Sequence, residues 1–466
     1  MNEKLAEALD HVRDAHITEA ARPKKTKGAV FLRIVAAAAV IALIVGVATL
    51  PPPISAKAVS LPGENRRMAY PQRAQYATRE EFQAALAAYR ADQAVNSDRI
   101  ANAKSALSDF FTQGSAQFVS GQENAIWSPV NAFIGLSMAA ELTQGESRRQ
   151  ILELFGAKDM EALRGYASAI WETAYKDDGN EICTLANSLW LRDDLSYEQA
   201  AMDNLAYHYY ASIYKGKMGS VRMNSAIGAW LNQNTGGMLK NATDNIALSS
   251  ETVLALYSTI YLQSKWQDAF RTANNTRDVF HAPSGDRNVT YMNKKLSVME
   301  YCWGDTFGAV SLSLKNGSRM WFILPDEGVT TSQVLADGQY MQMLLGQWEN
   351  SGYYKVNLSV PKFDVSSSQD LRAGLQAMGL TDVFDPNHAD FSAITNDVPV
   401  YLTAANQAVR VQIDEEGVKA AAYIEIPGAG SPQPPDEIVD FILDRPFLFV
   451  ITSNSVPLFV GAVNVP

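Results

Sequence analysis

The order of segments along the chain predicts an α+β fold with large antiparallel or mixed sheets. Helical periodicity crowds the N-terminal half and strand-like runs crowd the C-terminal half, an arrangement of segregated layers rather than of repeating βαβ units. No glycine-rich loop follows a strand and opens a helix, so a doubly wound nucleotide-binding sheet lacks its signature. With 466 residues, 47% hydrophobic and 19% charged, the chain can bury a core of full size and is neither disordered nor collagen-like.

The first element is an anchor. Residues 29–50 read AVFLRIVAAAAVIALIVGVATL, interrupted only by Arg33 and stopped by Pro51-Pro52-Pro53, and about 20 apolar residues suffice to cross a bilayer. Arg22, Lys24, Lys25 and Lys27 precede this run and the next basic residue after it is Lys57. Residues 1–28 are therefore expected to be a cytoplasmic tail, with the rest of the chain outside the cell membrane. The competing reading is a cleaved signal and a secreted protein, because Ala56-Lys57-Ala58 has the small-x-small form of a cleavage site. Residues 51–97 read as a spacer with a short helix. Its prolines and basic residues come first, and Thr78-Arg79-Glu80-Glu81 then forms a capping box ahead of an alanine-rich helical stretch.

The main domain is expected over 98–466. It opens with helical periodicity over 98–111 and continues through 129–155, where Pro129 starts a helix, Gly145 closes it and a further helix follows from Arg148. Strand-like runs cover 183–191, 253–262, 309–314, 320–324, 354–365, 398–405, 408–413 and 447–463.

Several function classes fall away. An excess of 50 acidic over 39 basic residues gives a net charge of −11, which argues against nucleic acid as a partner. Cys183 and Cys302 and five scattered histidines form no metal-ligand spacing, so no metal or other cofactor is expected. Ser128 lacks a nucleophile elbow and no histidine sits in a partner motif, and Glu415 and Glu416 would point to opposite faces of a strand. An enzyme is therefore not expected.

Four blocks, in order, carry a resemblance. They are Asn124-Ala-Ile-Trp-Ser-Pro-Val-Asn131 with Gly145 and Gln150-Ile151; Tyr257-Ser-Thr-Ile-Tyr-Leu-Gln-Ser-Lys-Trp266 with Phe270, Thr276 and Phe280; Pro361-Lys362-Phe363 with Leu371, Met378-Gly379-Leu380, Phe384 and Asp390-Phe391; and Glu415-Glu416-Gly417, Ala420-Ala421-Ala422 and Arg445-Pro446-Phe447-Leu448-Phe449. Over about 98–466 the chain resembles the serpins, serine protease inhibitors, and reads as a bacterial-type, membrane-anchored or secreted member. The resemblance implies a fold of helices and large mixed or antiparallel sheets with an exposed reactive loop. A protease cleaves that loop as a suicide substrate, and the loop then inserts as a new strand into the large sheet and traps the enzyme.

The residues of the loop can be tested against that demand. Glu416, Gly417, Val418, Ala420, Ala421 and Ala422 form the expected hinge, with Gly417 as its pivot. A strand entering a sheet alternates its faces. One set, Val418, Ala420, Ala422, Ile424 and Ile426, is wholly apolar, while Lys419, Ala421, Tyr423 and Glu425 suit solvent. Pro427 cannot donate to a ladder and is expected to cap insertion near Ile426. Counting from the hinge and from Arg445 gives Ala429, Gly430 and Ser431 as candidate reactive-site residues. All are small, and no Lys or Arg lies between Lys419 and Arg445, which points to an elastase-like or subtilisin-like serine protease as partner, met by a monomer. The conformational-switch cluster that the family places beneath its sheet corresponds to Ser128, Asn131, Ser258 and Trp266 with Gln407, or Asn406 if one residue is inserted. Asn131 and Ser258 depart from the usual Ser and Asn. These departures and Pro427 also fit a different reading, a non-inhibitory serpin-fold module for surface binding.

Overall fold

The computed structural model describes residues 57–60, 71–177, 182–238, 246–315, 317–418 and 436–466. The chain divides into two compact units, 1–53 and 54–466, and the second carries every described residue. The apolar run 29–50 lies outside the described residues, among which no helix is long and apolar enough to cross a membrane.

Among the described residues the helices are α1 (Arg79–Val119), α2 (Pro129–Leu142), α3 (Gly145–Leu154), α4 (Met160–Ala174), α5 (Gln199–His208), α6 (Val221–Asn234), α7 (Thr331–Asp337), α8 (Gln339–Leu344) and α9 (Arg372–Ala377). Thr78 caps α1 as its sequence demands. The Thr78 hydroxyl accepts from the Glu81 N–H at 3.1 Å and the Glu81 carboxylate from the Thr78 N–H at 3.0 Å. The two helices expected on either side of Asn96-Ser97-Asp98 are one helix of 41 residues. Nothing there forces a break, because neither Gly nor Pro intervenes and Ser97 and Asp98 are exposed. This helix runs through the 97/98 boundary, and its second half supplies Ala103, Leu107, Phe110 and Phe111 to the core at helical spacing.

α2 is buried along nearly its whole length, as an all-round apolar helix must be. Its one carboxylate, Glu141, is 3% exposed. It accepts two hydrogen bonds from Arg164 at 2.7 Å and others from Tyr209 and Asn204 at 3.2 and 3.3 Å, tying α2 to α4 and α5. Such a charge is tolerable in the interior only because its oxygens are satisfied. Gly145 does not close α2 but begins α3, where it stands at a φ of 54°.

Among the described residues the strands are β1 (Lys57–Ser60), β2 (Ala125–Trp127), β3 (Lys176–Asp177), β4 (Ile182–Arg192), β5 (Ala211–Gly216), β6 (Leu254–Lys265), β7 (Thr276–Ala282), β8 (Gly285–Trp303), β9 (Phe307–Ser313), β10 (Arg319–Pro325), β11 (Ser351–Pro361), β12 (Phe363–Asp370), β13 (Asn406–Ile413), β14 (Gly417–Val418), β15 (Ile438–Ile442), β16 (Phe447–Ser453) and β17 (Val456–Val463). They form a sheet ordered β1-β5-β4-β6-β14 with β3 beside β4, a sheet ordered β15-β11-β8-β9-β10-β16-β17-β2 with β7 beside β8, and the ribbon β12-β13.

Three differences from the sequence reading have local causes. Residues 398–405 form no strand. Pro399 interrupts the run, and its backbone bonds go elsewhere, Leu402 N–H to the Val383 carbonyl at 2.7 Å and the Ala405 carbonyl to Leu371 N–H at 2.8 Å. The run 447–463 is a hairpin, turned at Asn454 and Ser455 with φ of 46° and 64°. Within the expected spacer, Lys57–Ser60 is a strand paired antiparallel with β5.

Candidate functional site

The large sheet is open down its middle. β6 is fully laddered to β4 on one side, from Ile182 opposite Gln263 to Leu191 opposite Leu254. On its other side, among the described residues, β6 pairs only with β14, through Gly417 opposite Lys265 and Val418 opposite Ser264. β13 is likewise laddered to β12 along its length, from Asp370 opposite Asn406 to Phe363 opposite Ile413. No described ladder joins β6 to β13. Between them lies a cleft of about 1000 Å³, walled by the two strands and reaching Asn131, Gly135 and Ala139 of α2. Two facing strand edges with unpaired N–H and C=O groups are a template for one more strand.

Each wall has its faces set by alternation. On β13, Gln407, Val409, Val411 and Ile413 are buried while Asn406, Arg410 and Gln412 are exposed. On β6, Leu254, Leu256, Ile260 and Leu262 pack on the main core, whereas Ala255 and Tyr257 pack beneath α6 with Trp190 and Trp230. Burial there pushes the Tyr257 phenol up to about 12. α2 lies close under β6 at Gly135, where a Cβ would meet the Cβ of Ser258 at 4.0 Å, an ordinary van der Waals contact.

At one end of the cleft a polar cluster ties α2 to β13. Ser128 N–H donates to Gln407 Oε1 at 2.9 Å, Gln407 Nε2 returns a bond to the Ser128 carbonyl at 3.0 Å, and the Ser128 hydroxyl donates to the Leu458 carbonyl at 2.7 Å. Asn131 N–H donates to Ser128 Oγ at 3.3 Å. Of the two counted positions, Gln407 is the one that bonds Ser128. Gln407 is the cluster member and Asn406 is exposed away from it. Ser258 does not replace an amide fully, because among the described residues its buried hydroxyl has no hydrogen-bond partner, and neither has Oδ1 of Asn187, the residue directly across the ladder. Asn187 carries no signal in the sequence. Only its place opposite Ser258, legible once β4 and β6 are paired, marks it.

At the other end the hinge is clamped. Trp266, 1% exposed, donates its indole N–H to the Asp414 carbonyl at 2.9 Å and its backbone N–H to the Glu416 carbonyl at 3.1 Å. Phe270 N–H donates to the Glu415 carbonyl at 2.9 Å. Asp414 Oδ1 accepts from Glu416 and Gly417 N–H at 2.9 and 3.2 Å, closing a turn. Gly417 stands at a φ of 151°, and a Cβ on it would lie 2.5 Å from the Lys265 Cα and the Ser264 carbonyl. Only glycine fits without moving backbone. Lys362 and Asn275, missed from sequence although Lys362 lies inside a family block, hold the Glu415 carboxylate at 2.6 and 2.5 Å.

Burial pushes the Glu415 carboxyl up, but the bonds from Lys362 and Asn275 outweigh it and leave it below its ordinary value of 4.5. A depressed carboxyl stabilises above its ordinary value and loses that contribution as pH falls through the folded one. Acidification from above the ordinary value of 4.5 down through the lowered folded one is therefore expected to loosen the clamp by about 1 kcal/mol. Amide-exchange protection at Trp266 and Phe270 should fall about fivefold more than in Lys362→Met, which lacks the acid-sensitive pair. Equal losses in both proteins would refute the assignment.

Glu416, Gly417 and Val418 are thus placed at the mouth of the cleft, and Ser128, Gln407, Asn131, Ser258 and Trp266 around it. The rest of the expected hinge, Ala420, Ala421 and Ala422, and the candidate reactive residues Ala429, Gly430 and Ser431 lie outside the described residues.

The family model described as serpin (serine protease inhibitor) matches residues 105–466. Plasminogen activator inhibitor 1 of Bos taurus is 28% identical over 389 residues, covering 78% of this chain and 92% of the relative. Alpha-1-antiproteinase of Callosciurus caniceps is 27% identical over 357 residues, covering 74% and 84%. The native-state crystal structure of the thermophilic serpin tengpin superposes with a TM-score of 0.69 at 25% identity, covering 79% of this chain and 94% of that one. An open central cleft with a clamped hinge at its mouth, on a chain matched by that family model over most of its length, places this protein in the serpin family of serine protease inhibitors.

Proposed function

We propose that this protein is a suicide-substrate inhibitor that traps an elastase-like or subtilisin-like serine protease by inserting its cleaved loop between β6 and β13. The observation that carries the reading is the open edge of β6 with the hinge already seated at its first two rungs. Continuing that register places Ala420 opposite Leu262, Ala422 opposite Ile260, Ile424 opposite Ser258 and Ile426 opposite Leu256. The β6 residues of this set line the core side, so the apolar face of the loop meets the apolar floor. Pro427 arrives opposite Ala255, one residue from the end of β6. Its missing N–H costs at most the last rung, so it limits insertion far less than its sequence position alone implies. The other face needs amending. Glu425 would arrive beside Tyr257, which is roofed by α6 rather than open to solvent, so α6 must lift as the loop passes.

The small residues Ala429, Gly430 and Ser431 and the lack of Lys or Arg before Arg445 support a protease with a shallow apolar specificity pocket. We further infer that residues 29–50 hold the domain outside a membrane, where it would shield the cell surface. Cutting after Ala58 would remove two of the register pairs of β1, Lys57 with Lys215 and Ala58 with Tyr214, which favours a retained segment. Incubation of the detergent-solubilised full chain with pancreatic elastase should give an SDS-resistant complex at near 1:1 yield. Cleaved fragments with no complex would instead establish a non-inhibitory binding module.

A further inference from the structure

The edge strand β1 determines which end of the large sheet is tied to the N-terminal segment. Its register sets Lys57 opposite Lys215 and Ala58 opposite Tyr214 of β5. β5 runs parallel to β4 with Lys215 beside Leu191, and Leu191 stands opposite Leu254 of β6. Lys57 is therefore level with the Leu254 end of the sheet. It follows Leu50 by seven residues, a reach of at most about 25 Å. With residues 29–50 in a bilayer, the Leu254 end is the end held near the lipid. The intact loop belongs to the opposite end. Gly417 and Val418 pair with Lys265 and Ser264. On the other side of the loop, Ile442 of β15 stands beside Ser359 of β11, two residues before Pro361, and the next residue, Lys362, holds Glu415 at 2.6 Å.

Insertion moves the cut end from one of these ends to the other. β6 has 12 residues, so a strand laid along it runs about 37 Å at about 3.4 Å per residue. In the register begun by Val418, Pro427 arrives opposite Ala255, and residues 429–431 are carried just past Leu254. The order β1-β5-β4-β6 followed by the new strand leaves them four strand spacings from β1, about 19 Å. A serine protease of about 240 residues is roughly 45 Å across, more than the 25 Å reach, so its bulk lies against the bilayer rather than clear of it. We propose that this serpin traps toward the membrane: it offers its loop at the outer end of the domain and carries the acylated protease inward, to rest between the Leu254 end of the sheet and the lipid surface. The protease serine oxygen bonds the loop carbonyl as the peptide C–N bond breaks, and the serine proton leaves on the freed amine, which stays with β15. β1 supplies the direction, because it ties the membrane segment to the end where insertion finishes. The proposal rests on the inhibitory reading and on the retained membrane segment proposed above.

The test places the full chain in phosphatidylcholine vesicles that carry a lipid-bound acceptor dye and adds donor-labelled pancreatic elastase. Elastase lacking its catalytic serine hydroxyl docks on the intact loop and reports the outer position, while active elastase reports the trapped one. Energy transfer to the membrane should at least about double from the first to the second, because a travel of about 37 Å is comparable with the working range of such dyes. A 30-residue glycine–serine linker inserted after Pro53 should cut that difference by about half or more, since its root-mean-square span of about 30 Å frees the Leu254 end from the bilayer. Equal transfer in the two states, or a difference that the linker leaves intact, overturns the proposal. A wild type that forms no SDS-resistant complex removes the inhibitory reading, and one that does not float with the vesicles removes the membrane segment. Either result takes this proposal with it, and neither resembles equal transfer from a complex that forms and floats.

Discussion

A sample cut between Ala429 and Ser431 is expected to melt on the order of 10 °C higher than the intact protein. Folded proteins almost always lose stability when nicked, so the sign of this shift is its force. Among the described residues β6 has no ladder partner on this side from Leu254 to Gln263, β13 has none on its facing side, and the cleft between them measures about 1000 Å³. A strand laid there pairs its backbone on both sides and covers Leu256, Ile260 and Leu262 with Ile426, Ala422 and Ala420. What prevents this before cleavage is topology. The loop is joined to β14 at one end and to β15 at the other, so a loop that ran the length of β6 would have to double back, fully extended, to reach Ile438. For a domain this large 1 kcal/mol moves the midpoint by only about 1 °C, so a shift of that size needs a whole strand and not a local adjustment. Differential scanning calorimetry before and after limited elastase treatment measures it. Equal midpoints would mean the cleft stays empty, and the trapping mechanism would fail with it.

The parts of this site legible in the sequence are those fixed by local chemistry. Thr78 caps a helix because its hydroxyl must satisfy a backbone N–H group, and Pro129 opens one because its missing N–H costs nothing in a first turn. β13 and β16 follow from alternation and apolar runs, and Gly417 marks a backbone position that a side chain cannot occupy. What stayed hidden depends on pairing partners far away in the chain. β8, a strand of 19 residues with many polar side chains, has one exposed face and no continuous apolar run to announce it. Asn187 gains meaning only from standing across the ladder from Ser258. Lys362 gains it from a carboxylate 53 residues later in the chain, at Glu415. Counting leaves Gln407 and Asn406 open, and only the alternation of β13 turns Gln407 toward Ser128 and Asn406 away from it.

Ala422→Asp is expected to turn the inhibitor into a plain substrate, with the yield of trapped elastase falling more than about tenfold. In the inserted register residue 422 stands opposite Ile260, on the side of β6 that packs against the main core. A carboxylate forced there has no cation within the apolar floor to meet it, and an unpaired buried charge costs about 3–5 kcal/mol. Trapping is a race between insertion and hydrolysis of the acyl-enzyme. A penalty of that size, felt as residue 422 enters the ladder, slows insertion by a factor of about 100 or more if the transition state already holds that rung. Hydrolysis then releases the enzyme intact. Ala421→Asp is the necessary comparison, because residue 421 would face Tyr261 on the opposite side of the sheet, where the Gln263 side chain already accepts from the phenol. That variant should retain most of the trapping yield and the gain in melting midpoint on cleavage, while Ala422→Asp should lose both. Identical charge one residue apart, with opposite outcomes, can arise only if the loop becomes a strand with the register begun by Gly417 and Val418. Similar behaviour of the two variants would show that the loop is merely cut.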